Sequence, residues 1–418
     1  MAKRNSYASF VSQKKVASTP VNIQVSPDQI KGLAGGYGYK IDQWKQLDRF
    51  LILGAAAPTY YASQQKVVKE NADAIIRAIR EDGRRVVDRA VEISDGGRAP
   101  SNDPAIFVLA LATAHGDDVT KAHAFRSLPK ICRTGTHLFH FCEMAGELRG
   151  WGRGLQKAVA SWFNDRDAKS LAYQVTKYRQ RDGWSMRDVL RVSHPKQHAK
   201  VISEQHQAIY HYLTKGWKNV GDIPHPDKAL QTIWAFERAK HVTSEKEIAR
   251  MVRDYRMPWE FLDTKWLNSQ AVWEALMEDI KPEALTRNLG RLTANGFIKD
   301  FNGGLTKAVV AKLTDAQSLR AARLHPFKIF TAMKTYQQGH GIKGSLTWHP
   351  NQSVVNALDE AFYLAHQFVE PTNKNILVAI DVSGSMDTYA VTGLPMKARD
   401  AACAMAMTIA RTEPNHKL

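Results

Sequence analysis

Along most of the 418-residue chain the apolar positions recur every three to four residues. KENADAIIRAIRED (69–82) sets Ala72, Ile75, Ile76 and Ile79 on one stripe, the spacing of a helix that buries one side. GRRVVDRAVEI (83–93) and DPAIFVLALATAH (103–115) continue the pattern, punctuated by polar breaks such as DGG and GGRAPSNDP. From about Ile41 to Phe368 the pattern predicts helix after helix, with few strand signals. One core would not support so long a bundle, so the segments are expected to pack as a stack of successive helical hairpins.

After VEPTNKN (369–375) the periodicity changes. ILVAI (376–380) is an unbroken, mostly β-branched run, the pattern of a parallel strand buried on both faces. MKARDAACAMAMTIART (396–412) then reads as a helix, with Pro395 at its first turn and Pro414 just past its end. Together they make one βα unit, the beginning of an α/β domain.

Composition places the chain among water-soluble proteins. It is 44% hydrophobic and 24% charged, enough for a sizeable core, and no run reaches the roughly 18–20 apolar residues of a membrane helix. The N-terminus, basic and Ser-rich, lacks the apolar centre of a secretory signal, and residues 1–34 are expected to form a flexible tail. Three cysteines, without CxxC spacing, fit a reducing cytoplasm better than a disulfide framework or a structural zinc site.

Charge narrows the function. The net charge is +17, and it is concentrated: residues 151–200 hold 11 Lys/Arg against 4 Asp/Glu, and 281–350 hold 11 against 3. Clustered cations sum their fields and release counterions from phosphates, which points to a polyanion partner. The basic segments have no strongly apolar face beside them, so a membrane surface is disfavoured. TKYRQRDGWSMRDVLRVSHPK (176–196) interleaves cations with aromatic rings. It is expected to form two helices. Lys177 and Arg181 lie four apart on one face of the first, which ends near Asp182–Gly183, and Arg187 and Arg191 lie four apart on the second. Two such edges would be bridged by phosphates, which Arg contacts with a planar fork.

Other motifs carry less. LRGWGRGLQKAVASWF (148–163) reads as a turn and a helix with Trp162 and Phe163 in the core. His137 and His140 in HLFHF lack a nearby third ligand and read as packed histidines. GHGIKGS (339–345) has Lys343 before Gly344, the wrong order for a phosphate loop. No HExxH, nucleophile elbow or Ser/His/Asp constellation is present, and nothing in the sequence argues for catalysis. DVSGSM (381–386) offers Asp381, Ser383 and Ser385 on one side of a loop after the ILVAI strand, a hard oxygen donor set suited to Mg²⁺ or Mn²⁺.

GGYGYKID (35–42), PTYYASQQK (58–66), RTGTHLFHF (133–141), GWGRGLQKAVASWF (150–163), KYRQRDGWSMRDVLRVSHPK (177–196), TRNLGRL (286–292), RLHPFKIF (323–330), the turn ending at Trp348–Pro350, and DVSGSM occur in one order. In that order they resemble the Ro (SS-A) proteins. The resemblance implies a TROVE module of HEAT-like helical repeats closed into a ring over about 35–370, then a von Willebrand factor A domain from 374. It also implies small noncoding Y RNA on the outer surface, single-stranded 3′ ends of misfolded RNA in the central hole, and a role in RNA quality control beside an exoribonuclease. Lys177, Arg181 and His194 match the family's Y-RNA contacts, and Arg133 in RTGTHLFHF joins Arg187 and Arg191 as a further RNA-binding candidate. Arg287, Arg291 and Lys328 are assigned to the single-strand path. Asp381, Ser383 and Ser385 match the first loop of the family's metal site, whose other ligands would lie beyond residue 418. A von Willebrand A domain is longer than 374–418, so this part is expected to be incomplete: its strand and helix would pack back on the helices or stay partly disordered, or the strand would pair with another chain in an otherwise monomeric protein. The competing reading is a metal-dependent protein-interaction adaptor.

Overall fold

In the computed structural model of the protein, the structure describes residues 23–24, 26–31, 36–39, 42–54, 64–97, 99, 101–217, 220–300, 303–322, 324–341, 344–388, 390–391 and 394–418. Most of the 1–34 segment, residues 58–63 of PTYYASQQK and Lys343 of GHGIKGS lie outside them. The chain divides into two compact units: the described residues up to Arg166 with Tyr178–Ile202, and Asp167–Lys177 with Ser203–Leu418.

The first unit begins with an antiparallel pair, β1 (Gln29–Lys31) and β2 (Tyr37–Tyr39). Helix α1 (Gln43–Leu53) follows, its first turn capped by the Asp42 carboxylate accepting from the Lys45 amide at 2.8 Å. The two helices expected at 69–82 and 83–93 are one, α2 (Gln64–Asp95), bent at Asp82, which has φ −151° and ψ 83°. Asp82 accepts from the Arg85 amide and caps the second half. The buried stripe runs through Ala74, Ile75, Ala78 and Ile79, while Ala72 and Ile76 sit at its margin. A β-carbon on Gly83 would come within 2.4 Å of the Thr120 side chain, so glycine lets α2 seat closely on α4 (Asp118–Ile131). Helix α3 (Asp103–His115) is buried almost all round, between α2, α4 and α5 (Gly135–Arg149). Helix α6 (Arg153–Asn164) buries Trp162 and Phe163 as expected, and the Trp162 indole donates to the Cys132 carbonyl at 2.6 Å.

The second unit opens with α7 (Ala168–Lys177), against which α10 (Glu204–Lys215) and α11 (Gln231–Ala239) pack. It continues through α12 (Glu245–Tyr255), α13 (Gln270–Asp279), α14 (Pro282–Ala294), α15 (Thr306–Leu313), α16 (Ala316–Ala321), α17 (Pro326–Gln337) and α18 (Gln352–Ala365). One apolar core joins them, from Trp234 to Ala365. The TRNLGRL and WHP stretches meet here. The Trp348 ring lies over Gly290, where a β-carbon would approach it to 2.6 Å, and its indole donates to the Tyr336 carbonyl at 2.9 Å.

The 374–418 segment corrects two expectations. ILVAI is a strand only at β5 (Ile376–Leu377), and its side chains are not covered: Leu377 is 78% exposed. β5 pairs in parallel with β6 (His416–Lys417), and α19 (Ser385–Thr388) and α20 (Ala398–Thr412) lie between them in sequence. Helix α20 starts after Pro395 and not upon it. It packs on α17 and the single turn at His366–Phe368; Asp400 pairs with Lys334 at 3.5 Å, and the Arg411 guanidinium lies 4.5 Å over the Tyr363 ring. Of the expectations for this segment, packing back on the helices is met by α20, while β5 pairs with β6 of the same chain. Glu413 closes the unit by accepting from the amides of Thr372 and Asn373 at 2.7 and 3.0 Å.

Candidate nucleic-acid interface

The basic stretch 176–196 does not form two consecutive helices. Helix α7 ends at Lys177, and Arg181 stands on a two-stranded hairpin, β3 (Gln180–Arg181) with β4 (Trp184–Ser185). The Asp182–Gly183 turn, with φ of 50° and 77°, has both central residues left-handed, the twist that two-residue hairpins require. Lys177 and Arg181 therefore share no helical face. They also fall in different units, so each is described where it sits.

In the first unit the hairpin is anchored on α5. The Trp184 indole donates to the Glu143 carboxylate and its ring lies 5.5 Å from that of Trp151. His140 sits between Asp103 and Asp182, its Nδ1 2.8 Å from the first carboxylate and its Nε2 2.9 Å from the second. It is thus a bridge that fixes the turn, where a packed histidine was expected. Its neighbour His137 fits that expectation: burial, with help from nearby Arg133, pushes its ring down to about 4. Arg181, opposite Trp184, stays 64% exposed, with Asp182 3.6 Å away.

Helix α8 (Met186–Ser193) follows the hairpin directly and starts on a capping box between Ser185 and Asp188. Met186, Val189, Leu190 and Ser193 face inward, which leaves Arg187 and Arg191 exposed one turn apart, as the spacing predicts. Neither forms an ion pair among the described residues. His194, exposed and left-handed at φ 46°, ends α8 and starts α9 (Pro195–His198). Among the exposed cations of this unit that were not singled out from the sequence are Lys196 on α9, and Arg153 and Lys157 on α6. Helix α6 packs against both α8 and α9, and the signal was available in the i, i+4 spacing of Arg153 and Lys157 opposite a buried stripe. Arg133 is placed differently. Its guanidinium donates to the Ser94 hydroxyl and carbonyl and to the Lys130 carbonyl at 2.7–3.2 Å, so it ties helix ends together.

In the second unit Lys177 is half-buried, 3.4 Å from Glu260 and 3.2 Å from the Tyr173 hydroxyl. Arg287 is 70% exposed but paired with Glu283 at 2.8 Å; Lys328 reaches the same carboxylate at 3.9 Å. Arg291 is half-buried, and its Nη1 has no hydrogen-bond partner among the described residues. These three do not present the row of unpaired charge that Arg187 and Arg191 do.

The D-x-S-x-S loop is exposed throughout. Asp381 accepts from the Ser383 amide at 2.8 Å, and that bond holds its carboxyl below the usual range and ionised. The Ser383 and Ser385 hydroxyls are 2.8 Å apart. Neighbouring ligands of an octahedral Mg²⁺ are separated by about 2.9 Å, so the donors fit a hard cation in kind and spacing. They would fill part of its shell; nearby Asp387 is already paired with Lys397 and Arg399.

The geometry defines a mainly α-helical protein of packed helical hairpins that presents two exposed arginines without ion pairs among the described residues, with a small parallel βαβ appendage. Residues 30–335 match the TROVE domain family, and residues 375–418 match the Ro60 vWA domain. The chain belongs to the TROVE-domain Ro family. It is 35% identical to the RNA-binding protein RO60 of Deinococcus radiodurans over 95% of this chain and 73% of that protein. It is 31% identical to the RNA-binding protein RO60 of Caenorhabditis elegans over 92% of this chain and 70% of that one. The crystal structure of the Deinococcus radiodurans RO (RSR) protein superposes with a TM-score of 0.72 at 33% identity, covering 90% of this chain and 74% of that one. No helix among the described residues is long and apolar enough to cross a membrane.

Proposed function

We propose that this chain binds RNA without transforming it, and that the hairpin and α8–α9 of the first unit form the phosphate-contacting surface. The observation that carries the reading is the exposed pair Arg187 and Arg191, free of carboxylate partners among the described residues, flanked by Arg181, His194 and Lys196. Two relatives named as RNA-binding proteins, each similar over most of this chain, support it. A structured small RNA of the Y-like kind suits this surface, because duplex RNA is held largely through phosphates and sugars and less through base edges. Capture of single-stranded 3′ ends, a role in RNA quality control and cooperation with an exoribonuclease extend the proposal and rest on the family resemblance. Cys132 and Cys142, buried free thiols, suit a cytoplasmic setting.

Binding of a structured small RNA by the whole chain, measured by anisotropy from 50 to 300 mM salt, tests it. Arg187→Ala with Arg191→Ala is expected to weaken binding at least ~10-fold at low salt and to reduce the log–log salt slope by about 1–2. Unchanged affinity and slope would refute the assignment. Labelled RNA is expected to survive intact with Mg²⁺ present.

A second reading is favoured by one observation, the 2.8 Å pairing of the Ser383 and Ser385 hydroxyls beside the Asp381 carboxylate. Asp381, Ser383 and Ser385 would hold Mg²⁺ or Mn²⁺, and the ion would offer an open position to a carboxylate of a protein partner. Mg²⁺-dependent partner binding lost in Asp381→Ala would support that adaptor role.

A further inference from the structure

Between the C-terminal half of α10 and the start of α11 the second unit holds a cavity of about 610 Å³, within the range of small-ligand sites. Leu230 and Ile233 supply its buried apolar floor. Tyr212, Trp217 and His225 supply aromatic walls, and His211 and Lys215 stand exposed at its rim.

The walls are fixed by their own contacts. The Trp217 ring lies steeply inclined to two others, 5.3 Å from His225 at 76° and 6.4 Å from Tyr212 at 64°. The Tyr212 hydroxyl donates to Glu237 at 2.7 Å, and Lys240 neutralises that carboxylate at 2.7 Å. His225 Nδ1 accepts from the Asp227 amide at 3.1 Å, so a neutral ring carries its proton on Nε2 and offers a donor. Lys215 has no ion pair among the described residues, and the described lining includes no carboxylate. Aromatic walls, a ring N–H donor and a cation without an ion pair among the described residues match a planar heterocycle with hydrogen-bond acceptors and an attached anion. An apolar peptide side chain would leave the cation and the donor without use.

We propose that this cavity takes one unpaired nucleobase against the aromatic walls, with the adjoining phosphate at Lys215. The inference rests on the RNA-binding reading and adds to it a base-binding subsite in the second unit. The same chemistry is found in a single-stranded RNA end and in a free nucleotide.

The probes are a labelled oligouridylate of about eight nucleotides, uridine 5′-monophosphate as competitor, and a structured small RNA without a tail, each with the full chain. Trp217→Ala is expected to weaken the oligonucleotide about 10-fold or more, the scale of one base–aromatic stack, while Trp217→Phe stays within about 3-fold. Lys215→Gln, on the exposed rim and outside the core, is expected to lower the salt slope by about 1. Structured-RNA binding is expected to hold in all three. Displacement by the monophosphate at low millimolar concentration identifies a free-nucleotide site, and its absence identifies a chain-end site. Oligonucleotide affinity and salt slope unchanged by Lys215→Gln, or affinity unchanged in a folded Trp217→Ala chain, would overturn the inference and leave the RNA reading standing. An unaltered chain that binds structured RNA but not the oligonucleotide would do the same; one that binds neither removes both.

Discussion

His137 shows what burial does to a single group beside the proposed RNA surface. Its ring, near Arg133 and 3.3 Å from the Asn102 amide, is held down to about 4, and the unfolded chain restores its ordinary value near 6.5. Between these values the unfolded state takes up a proton that the folded state refuses. Stability is therefore whole above about 6.5, declines as the pH falls, and levels off below about 4, with an upper bound near 3 kcal/mol. His137→Gln is expected to remove this component, so its urea midpoint should fall less between pH 7.5 and 5 than that of the unaltered chain. An equal fall in both would show that His137 is not the group responsible. At the same scale the sequence was informative about type and exposure. The i, i+4 pair Arg187 and Arg191 is exposed as its spacing implies. Arg133 was not legible as a helix-end tie, because its acceptors on Ser94 come from 39 positions earlier in the chain.

Among the elements, the hairpin at 180–185 changes the picture most. Asp-Gly is the strongest two-residue hairpin signal, yet within a run of cations with helix-like spacing it reads as a helix end. Tertiary contacts decide the matter: Trp184 is held by Glu143, and Asp182 by His140. The hairpin and α8 also need a close seat on α5. A β-carbon on Gly135 would fall 2.3 Å from the Met186 methyl and 2.6 Å from the Tyr178 β-carbon. Gly135→Ala is accordingly expected to destabilise the protein by about 1–3 kcal/mol through overpacking. Because the push falls on the element carrying Arg187 and Arg191, RNA affinity is expected to drop as well, by several-fold. Denaturation together with RNA titration checks both. A loss of stability alone would mean that α8 keeps its place without this contact. Glycine here answers to a neighbour from 51 residues further on, which is why RTGTHLFHF is recognisable as a motif while its reason is not visible in one dimension.

At the level of the whole chain, hydrophobic periodicity gave the mainly helical class correctly, and most helices lie where the 3.6-residue stripe put them. It misjudged the last segment. ILVAI is apolar enough for a strand buried on both faces, but burial depends on partners: here β5 meets β6, and Leu377, Ile380 and Val382 remain exposed. What holds 371–418 to the second unit is α20, through Ala404, Ala406 and Thr408 at its buried positions, the Asp400–Lys334 pair and Arg411 over Tyr363. This is a modest interface of small side chains and ion pairs, of a kind that contributes little per contact. Two compact units also allow unfolding in more than one step. Removing 371–418 is thus expected to lower only the transition belonging to the second unit, by a few degrees, and to leave RNA binding by α8–α9 within about 2-fold. Calorimetry of the shortened and full chains, alongside the RNA titration, measures both. A shortened chain that no longer folds would show that α20 is integral to the second core. One that folds but loses RNA would move the phosphate contacts from the arginine row into 371–418.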